Sequence, residues 1–408
     1  MIQRHMDDEP VVALEIGTTK VRALVARPRD DNHLFITGLG ECASRGIRKS
    51  EIVDFENAVA SVRIALQNAE ENSNTTISEV YLLVSGGHLQ STVNRGSIPI
   101  LHEPHEIARE DMDHVMSTAR TVNLPSDRAI LHTICQHYYV DDQAGVVNPI
   151  GLEGSRLSLD MLILHGVRAR MKNLVRVASS VSVDVRDVSF TGLCSGLAVL
   201  DPEQKENGVL VIDLGGGTVS YLAYAGGAIA AAGCLGVGGD HVTNDLARGL
   251  RIPQPHAETL KEQYGAAILD AAARGQKIEL LGETGSLRRM VRLGDVQTIT
   301  SYRAEEILNM VRQQIEQSGK RDLLHHLGSG IVLTGGGAYL KGMTVLCEKT
   351  FGLPCELGKP RDISGLTLGA EGAQYAAPIG MLRYAVRTAQ RDEPQTPIGA
   401  LIRKLLGR

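Results

Sequence analysis

The chain has 408 residues, with 42 basic and 47 acidic side chains, a formal net charge of −5, 43% hydrophobic residues and 22% charged. That balance excludes wholesale disorder and suits two to four domains at roughly 100–200 residues each. With no Trp and only four Phe, it lacks the basic, aromatic surface on which nucleic acid stacks, so no nucleic-acid partner is expected.

Forty-four glycines exceed the usual share of ~7%, and they fall in clusters that mark tight turns. The N-terminus, MIQRHMDDEP, is too polar for a signal peptide. Six cysteines without CxxC spacing, set in apolar stretches, favour a reducing compartment over a disulfide framework. The longest uncharged run, between Asp213 and Asp240, contains nine glycines and reads as alternating strands and turns, not as a membrane span.

In chain order, residues 11–16 (VVALEI) form an apolar strand ending in Glu15, then the turn Gly17-Thr18-Thr19-Lys20, then a second strand from Val21 and a third over LFITGLGEC. Asp54 is placed to N-cap a core-facing helix carrying Val59, Val62, Leu66 and Ala69. Strands near 130–140 and 157–164 and a helix near 106–122 follow. Near residue 209 the opening pattern recurs: VLVID ends in Asp213, the turn is Gly215-Gly216-Gly217-Thr218, and two more strands follow. Such a repeat predicts two similar halves.

Glycine lets backbone N–H groups converge on one concavity, and threonine adds hydroxyls. Two facing hairpins of this kind can cradle a polyphosphate, with Glu15 and Asp213 holding Mg²⁺ through water. A third cluster, Gly335-Gly336-Gly337, follows the strand Ile331–Thr334 and precedes a helix expected over Leu340–Phe351, which lets a ligand approach closely. A Rossmann fingerprint and a Walker A loop are both missing from the sequence.

These three elements resemble, in order and spacing, the two phosphate motifs and the adenosine motif of the actin-like ATPase superfamily. Within it, LEIGTTKV (14–21), SRGIRKSEIVD (44–54), VIDLGGGT (211–218), GIVLTGGGA (330–338) and YAAPIGMLRY (375–384) resemble the FtsA family of bacterial cell-division proteins. The resemblance implies an α/β, actin-like (ribonuclease H-like) two-domain fold around a nucleotide cleft, with a small α/β subdomain inserted in the first domain. Residues 1–84, 166–200 and 365–388 would form the first domain, 85–165 the insert and 201–364 the second domain, whose part 240–305 caps the nucleotide.

Carried over residue by residue, the resemblance implies ATP contacts from Gly17, Thr18, Thr19, Lys20, Gly215, Gly216, Gly217, Thr218, Gly239, Gly335, Gly336 and Gly337. Glu258 and Lys261, three apart on a helix, match the pair that meets adenosine. Arg303 matches a contact for the C-terminal peptide of FtsZ. The resemblance also implies filaments of the chain itself and other division proteins as partners. Two departures argue against efficient hydrolysis: Thr191 stands where many relatives have a water-orienting Glu or Gln, and Ser220 where they have a carboxylate. No catalytic residue is assigned, and ATP reads as an assembly ligand.

After Ala389 a Pro-punctuated spacer (389–397) leads to Ile398, Leu401, Ile402, Leu405 and Leu406, one apolar stripe on a helix over 398–408. Arg403 and Lys404 flank it, and 397–408 contains no acid. Burying five aliphatics contributes on the order of 7–15 kcal/mol at most, and each basic residue adds roughly 1 kcal/mol at an anionic leaflet. Reversible attachment to the cytoplasmic face of the cell membrane is expected, as the resemblance also implies.

His132 and His137, the pair His325-His326, and Cys194-Ser195 read as structural. A small-molecule kinase of the same superfold would need an Asp base that no motif places. An actin-like adaptor of type IV pilus assembly is the alternative reading, disfavoured by the basic amphipathic tail. A heat-shock chaperone is excluded because a substrate-binding domain is missing.

Overall fold

The computed structural model describes residues 9–29, 33–101, 106–273, 275–281, 288–318, 321–365 and 372–389. The expected membrane helix (398–408) and all of its spacer except Ala389, which ends a helix, lie outside the described residues.

The first body is a six-stranded sheet in the order Asp184–Phe190, Glu79–Val84, Val11–Ile16, Lys20–Pro28, Leu34–Ala43 and Ile363–Gly365. Leu34–Ala43 alternates buried and half-buried positions because one face is covered by the helix Phe55–Ser73. That helix starts where Asp54 accepts the Asn57 N–H and ends at Asn74 in the left-handed region, with Ala58, Val62, Ala65, Leu66 and Ala69 on the buried stripe.

The second body is a five-stranded sheet in the order Ala228–Leu235, Val219–Ala225, Val209–Leu214, Ile331–Thr334 and Cys355–Leu357. Every residue of Val209–Leu214 is buried, so the strand serves two cores. Val209 and Val211 join the core of the first body, whereas Leu210, Ile212 and Leu214 join that of the second. Helices Thr191–Val199 and Ala376–Ala389 pack on each other, and both contribute to the first-body core.

The insert is a four-stranded antiparallel sheet in the order Gln90–Pro99, Arg156–Val167, Arg128–Val140 and Gln143–Val146, packed on the helix Arg109–Arg120. Its edge strand Gln90–Pro99 escapes an apolar-pattern reading because it is mostly polar, and the strand Gln143–Val146 because it is short and largely exposed. The insert also touches the second body. Ser91 Oγ donates to the Ala232 carbonyl at 2.6 Å and Gln136 Nε2 to the Ile229 carbonyl at 2.6 Å.

One element starts later than expected. The triple glycine leads into a single 3₁₀ turn, Gly336–Tyr339, and the α-helix begins only at Met343. Gly342 has φ +78°, a conformation no α-helix contains, so the chain turns there first.

Candidate functional site

The two Gly–Thr hairpins are built alike. In the first, Glu15 pairs across the strands with Arg22, and the Gly17 N–H donates to the Lys20 carbonyl at 3.1 Å. In the second, Asp213 pairs with Ser220, and the Gly215 N–H donates to the Thr218 carbonyl at 2.9 Å. Thr18-Thr19 and Gly216-Gly217 are therefore the tips, and they meet. A Cβ on Gly216 would lie 2.0 Å from Thr19 Oγ1, and one on Gly217 would lie 2.2 Å from Thr18 Oγ1.

Beside the tips opens a cavity of about 770 Å³. Its walls include Glu15, Gly17, Thr18, Thr19 and Lys20 of the first hairpin, and Gly215 and Gly216 of the second. Gly239 comes from the helix Gly239–Leu250, Glu258 and Lys261 from the helix Gln254–Tyr264, and Gly336 and Gly337 from the triple glycine. A second cavity of about 50 Å³ shares Glu15, Gly17, Thr18, Gly215 and Gly216 and adds Asp213, Gly217 and Thr218. Gly335 lines neither. It sits at φ +83° against Asp213, where a Cβ would come within 2.4 Å of Oδ1.

Between these two helices, Lys261 Nζ donates to Glu258 Oε2 at 2.8 Å and to Thr243 Oγ1 at 3.0 Å, while the Thr243 hydroxyl donates to Glu258. The helix Gln254–Tyr264 places the two charges one turn apart, and Thr243, on the helix Gly239–Leu250, fixes both. Arg303, on the helix Leu293–Gln317, lies elsewhere: its Nε donates to Asp245 Oδ2 at 2.6 Å and its Nη1 to Glu306 Oε2.

Burial pushes the Asp213 carboxyl up to about 6, against a hydrogen bond donated by Ser195 and with the charge of Glu15 adding to the rise. Asp240, a further cavity residue, is also raised, mainly by burial. Among the described residues no group of three or more His, Cys, Asp or Glu is placed to hold a metal. The carboxylate oxygens of Asp213 and Glu15 are donors of the kind that hard cations take. Glu15 is already ion-paired to Arg22 at 2.9 Å.

Sequence reasoning missed Arg22, Ser50, Ser195 and Asp240. The Ser50 N–H donates to Thr18 Oγ1 at 2.9 Å, and its hydroxyl lies 3.4 Å from Thr218 Oγ1 and accepts from Ser85 Oγ at 2.9 Å. It thus ties both hairpins from a backbone at φ +58°. Thr191, which lines the small cavity, donates its hydroxyl to the Val84 carbonyl at 3.1 Å.

A family profile described as cell division protein FtsA matches residues 210–380, and one for the SHS2 domain inserted in FtsA matches residues 86–165. The cell division protein FtsA of Escherichia coli (strain K12) is 33% identical over 409 aligned positions, covering 98% of this chain and 97% of that protein. The chain belongs to the FtsA family. The FtsA of Neisseria meningitidis serogroup B (strain ATCC BAA-335 / MC58) is also 33% identical, with 96% of this chain and 93% of that protein covered.

FtsA membership assigns the chain to cell division, and solved structures agree on its actin-like fold. The PilM-PilN type IV pilus biogenesis complex matches at TM-score 0.62 and 14% identity over 91% of this chain and 98% of that one. MreB5 of Spiroplasma citri bound to ADP matches at 0.55 and 15% over 95% and 100%. At such identities these likenesses speak for the fold alone, the pilus protein included. Among the described residues, no helix of this FtsA-family chain is long and apolar enough to cross a membrane.

Proposed function

We propose that this FtsA-family chain binds ATP in the cleft between its two bodies, polymerises at the cytoplasmic face of the cell membrane and anchors FtsZ filaments there. The observation that carries this reading is the meeting of the two Gly–Thr hairpins beside a cavity of about 770 Å³ that the Glu258–Lys261 pair and Gly336-Gly337 also line. Backbone N–H groups of the hairpins hold the phosphates, and the cap and triple glycine enclose the adenosine. Asp213 and Glu15 would hold Mg²⁺ through water, and the ion would supply positive charge beside the phosphates.

Hydrolysis is slow in this reading, because the Thr191 hydroxyl is engaged with a backbone carbonyl and no carboxamide or carboxylate replaces it at that position. ATP then sets the cleft conformation that self-association requires. The tail, with Ile398, Leu401, Ile402, Leu405 and Leu406 on one stripe beside Arg403 and Lys404, attaches the polymer to anionic lipid. The C-terminal peptide of FtsZ docks near Arg303, and other division proteins join the assembly.

Co-sedimentation with anionic liposomes, with and without ATP-Mg²⁺, tests this reading on the full chain and on one ending at Arg391. Pelleting that needs the tail and responds to ATP is the expected result. Equal pelleting of both chains, or none of either, would remove the membrane tether.

A further inference from the structure

The two hairpins carry the same backbone but not the same charges. At the position across from the acid, the second has Ser220 and the first has Arg22. Arg22 is half-buried on the cavity wall, its Nη1 2.9 Å from Glu15 Oε2 and its Nε 2.8 Å from Glu41 Oε1. Tyr375 closes the arrangement, with its ring 5.2 Å from the guanidinium and its hydroxyl donating to Glu41 at 2.9 Å. Lys20 adds a second cation 3.0 Å from Glu41.

Two acids and two bases therefore cancel at the first hairpin before any ligand arrives. Burial opposes the Arg22 charge, but the charge of Glu15 and the hydrogen bonds to Glu41 and Glu15 outweigh it and hold the guanidinium more firmly protonated than usual. Those two bonds leave other guanidinium N–H donors, and a guanidinium suits phosphate oxygens.

We propose that Arg22 is a positioning residue that holds and compensates Glu15, and so removes from the phosphate site a repulsion that a divalent cation would otherwise have to offset. Nucleotide binding by this chain then depends on Mg²⁺ less than it would in a cleft whose two hairpins carry acids alone. The proposal rests on the nucleotide reading above.

The test is the affinity of the full chain for a fluorescent ATP analogue, measured in excess Mg²⁺ and in EDTA. For the unaltered chain the two affinities should differ by no more than about tenfold, and Arg22→Gln should widen the gap by a further tenfold or so, chiefly by weakening the EDTA value. Glu15→Gln, which keeps the shape and frees Arg22, should keep or improve the EDTA value, so the proposal survives even if Arg22→Gln folds poorly. An unaltered chain that binds only with Mg²⁺, an Arg22→Gln variant weakened equally in both conditions, or a Glu15→Gln variant weakened in EDTA would overturn the role of Arg22 while leaving the nucleotide reading intact. No binding by the unaltered chain in either condition would overturn both.

Discussion

Gly216 and Thr19 come from hairpins almost two hundred residues apart, yet a single methyl group on Gly216 would fall 2.0 Å from Thr19 Oγ1. Nothing larger than hydrogen fits between the hairpins at that point. Gly216→Ala should part them and weaken ATP-analogue binding by roughly tenfold or more, since a displacement of about 1 Å disrupts an oriented phosphate cradle. Adding Thr19→Ala removes the clashing hydroxyl and should recover part of the loss. Titration calorimetry on the single and double variants checks this, and no recovery in the double variant would count against the contact.

A buried histidine sets an acid limit on stability. Nε2 of His132 accepts the Phe190 N–H at 3.0 Å, so protonation there would place a donor against a donor. Burial lowers His132 to about 4, and burial with the nearby charges of Arg170 and Arg128 lowers His88 to about 4 as well. Both folded values lie below the unfolded ~6.5. The stability each protects is complete above pH ~6.5 and is lost progressively as the pH falls towards 4, about 2 kcal/mol apiece at pH 5. His132→Gln, which can still accept the N–H, should remove roughly half of that pH dependence in thermal melts between pH 7 and 5. An unchanged slope would exclude His132 as its source.

Gly380 lets the helix Ala376–Ala389 pack directly on Thr191–Val199. A Cβ there would lie 1.7 Å from the Cys194 carbonyl oxygen. Gly380→Ala must separate two helices inside the main core and should cost about 1–3 kcal/mol or more, seen as a lower Tm. Because the obstacle is a backbone atom, Cys194→Ala should not rescue it. Rescue would locate the strain elsewhere.

Arg303 is tied to Asp245 and Glu306 with a quarter of its side chain exposed. Partly exposed ion pairs contribute at most about 1 kcal/mol, so Arg303→Ala should barely move the Tm. If the FtsZ C-terminal peptide docks there, the same substitution should lower its affinity by roughly tenfold in fluorescence anisotropy, as loss of a charged contact does. Unchanged affinity would remove Arg303 from the docking surface.

The hairpins were legible because their information is local. A strand ending in an acid, followed by Gly and Thr, specifies its own turn, and the turn fixes the register. The pairing of Glu15 with Arg22 follows from that register, since a loop closed by Gly17 and Lys20 sets those residues opposite each other. Attention to the glycines alone passes over it. Asp54 as an N-cap was equally readable, from its position before an apolar periodicity. The edge strand Gln90–Pro99 was not, because only a partner strand makes so polar a segment a strand.

The sequence by itself determined the turn chemistry, the alternation of strands and helices, the family resemblance and the apolar stripe of the tail. All but the family resemblance, which rests on motifs spread along the chain, depend on residues within a few positions of one another. Only the tertiary structure decided that Gly216 meets Thr19, that Ser50 bonds to both hairpins, that Ser195 donates to Asp213 and that Arg303 pairs with Asp245. Those contacts join segments from eighteen to nearly two hundred residues apart. They exist only because two sheets bury a shared core, with Val209 and Val211 of one facing the helices packed on the other.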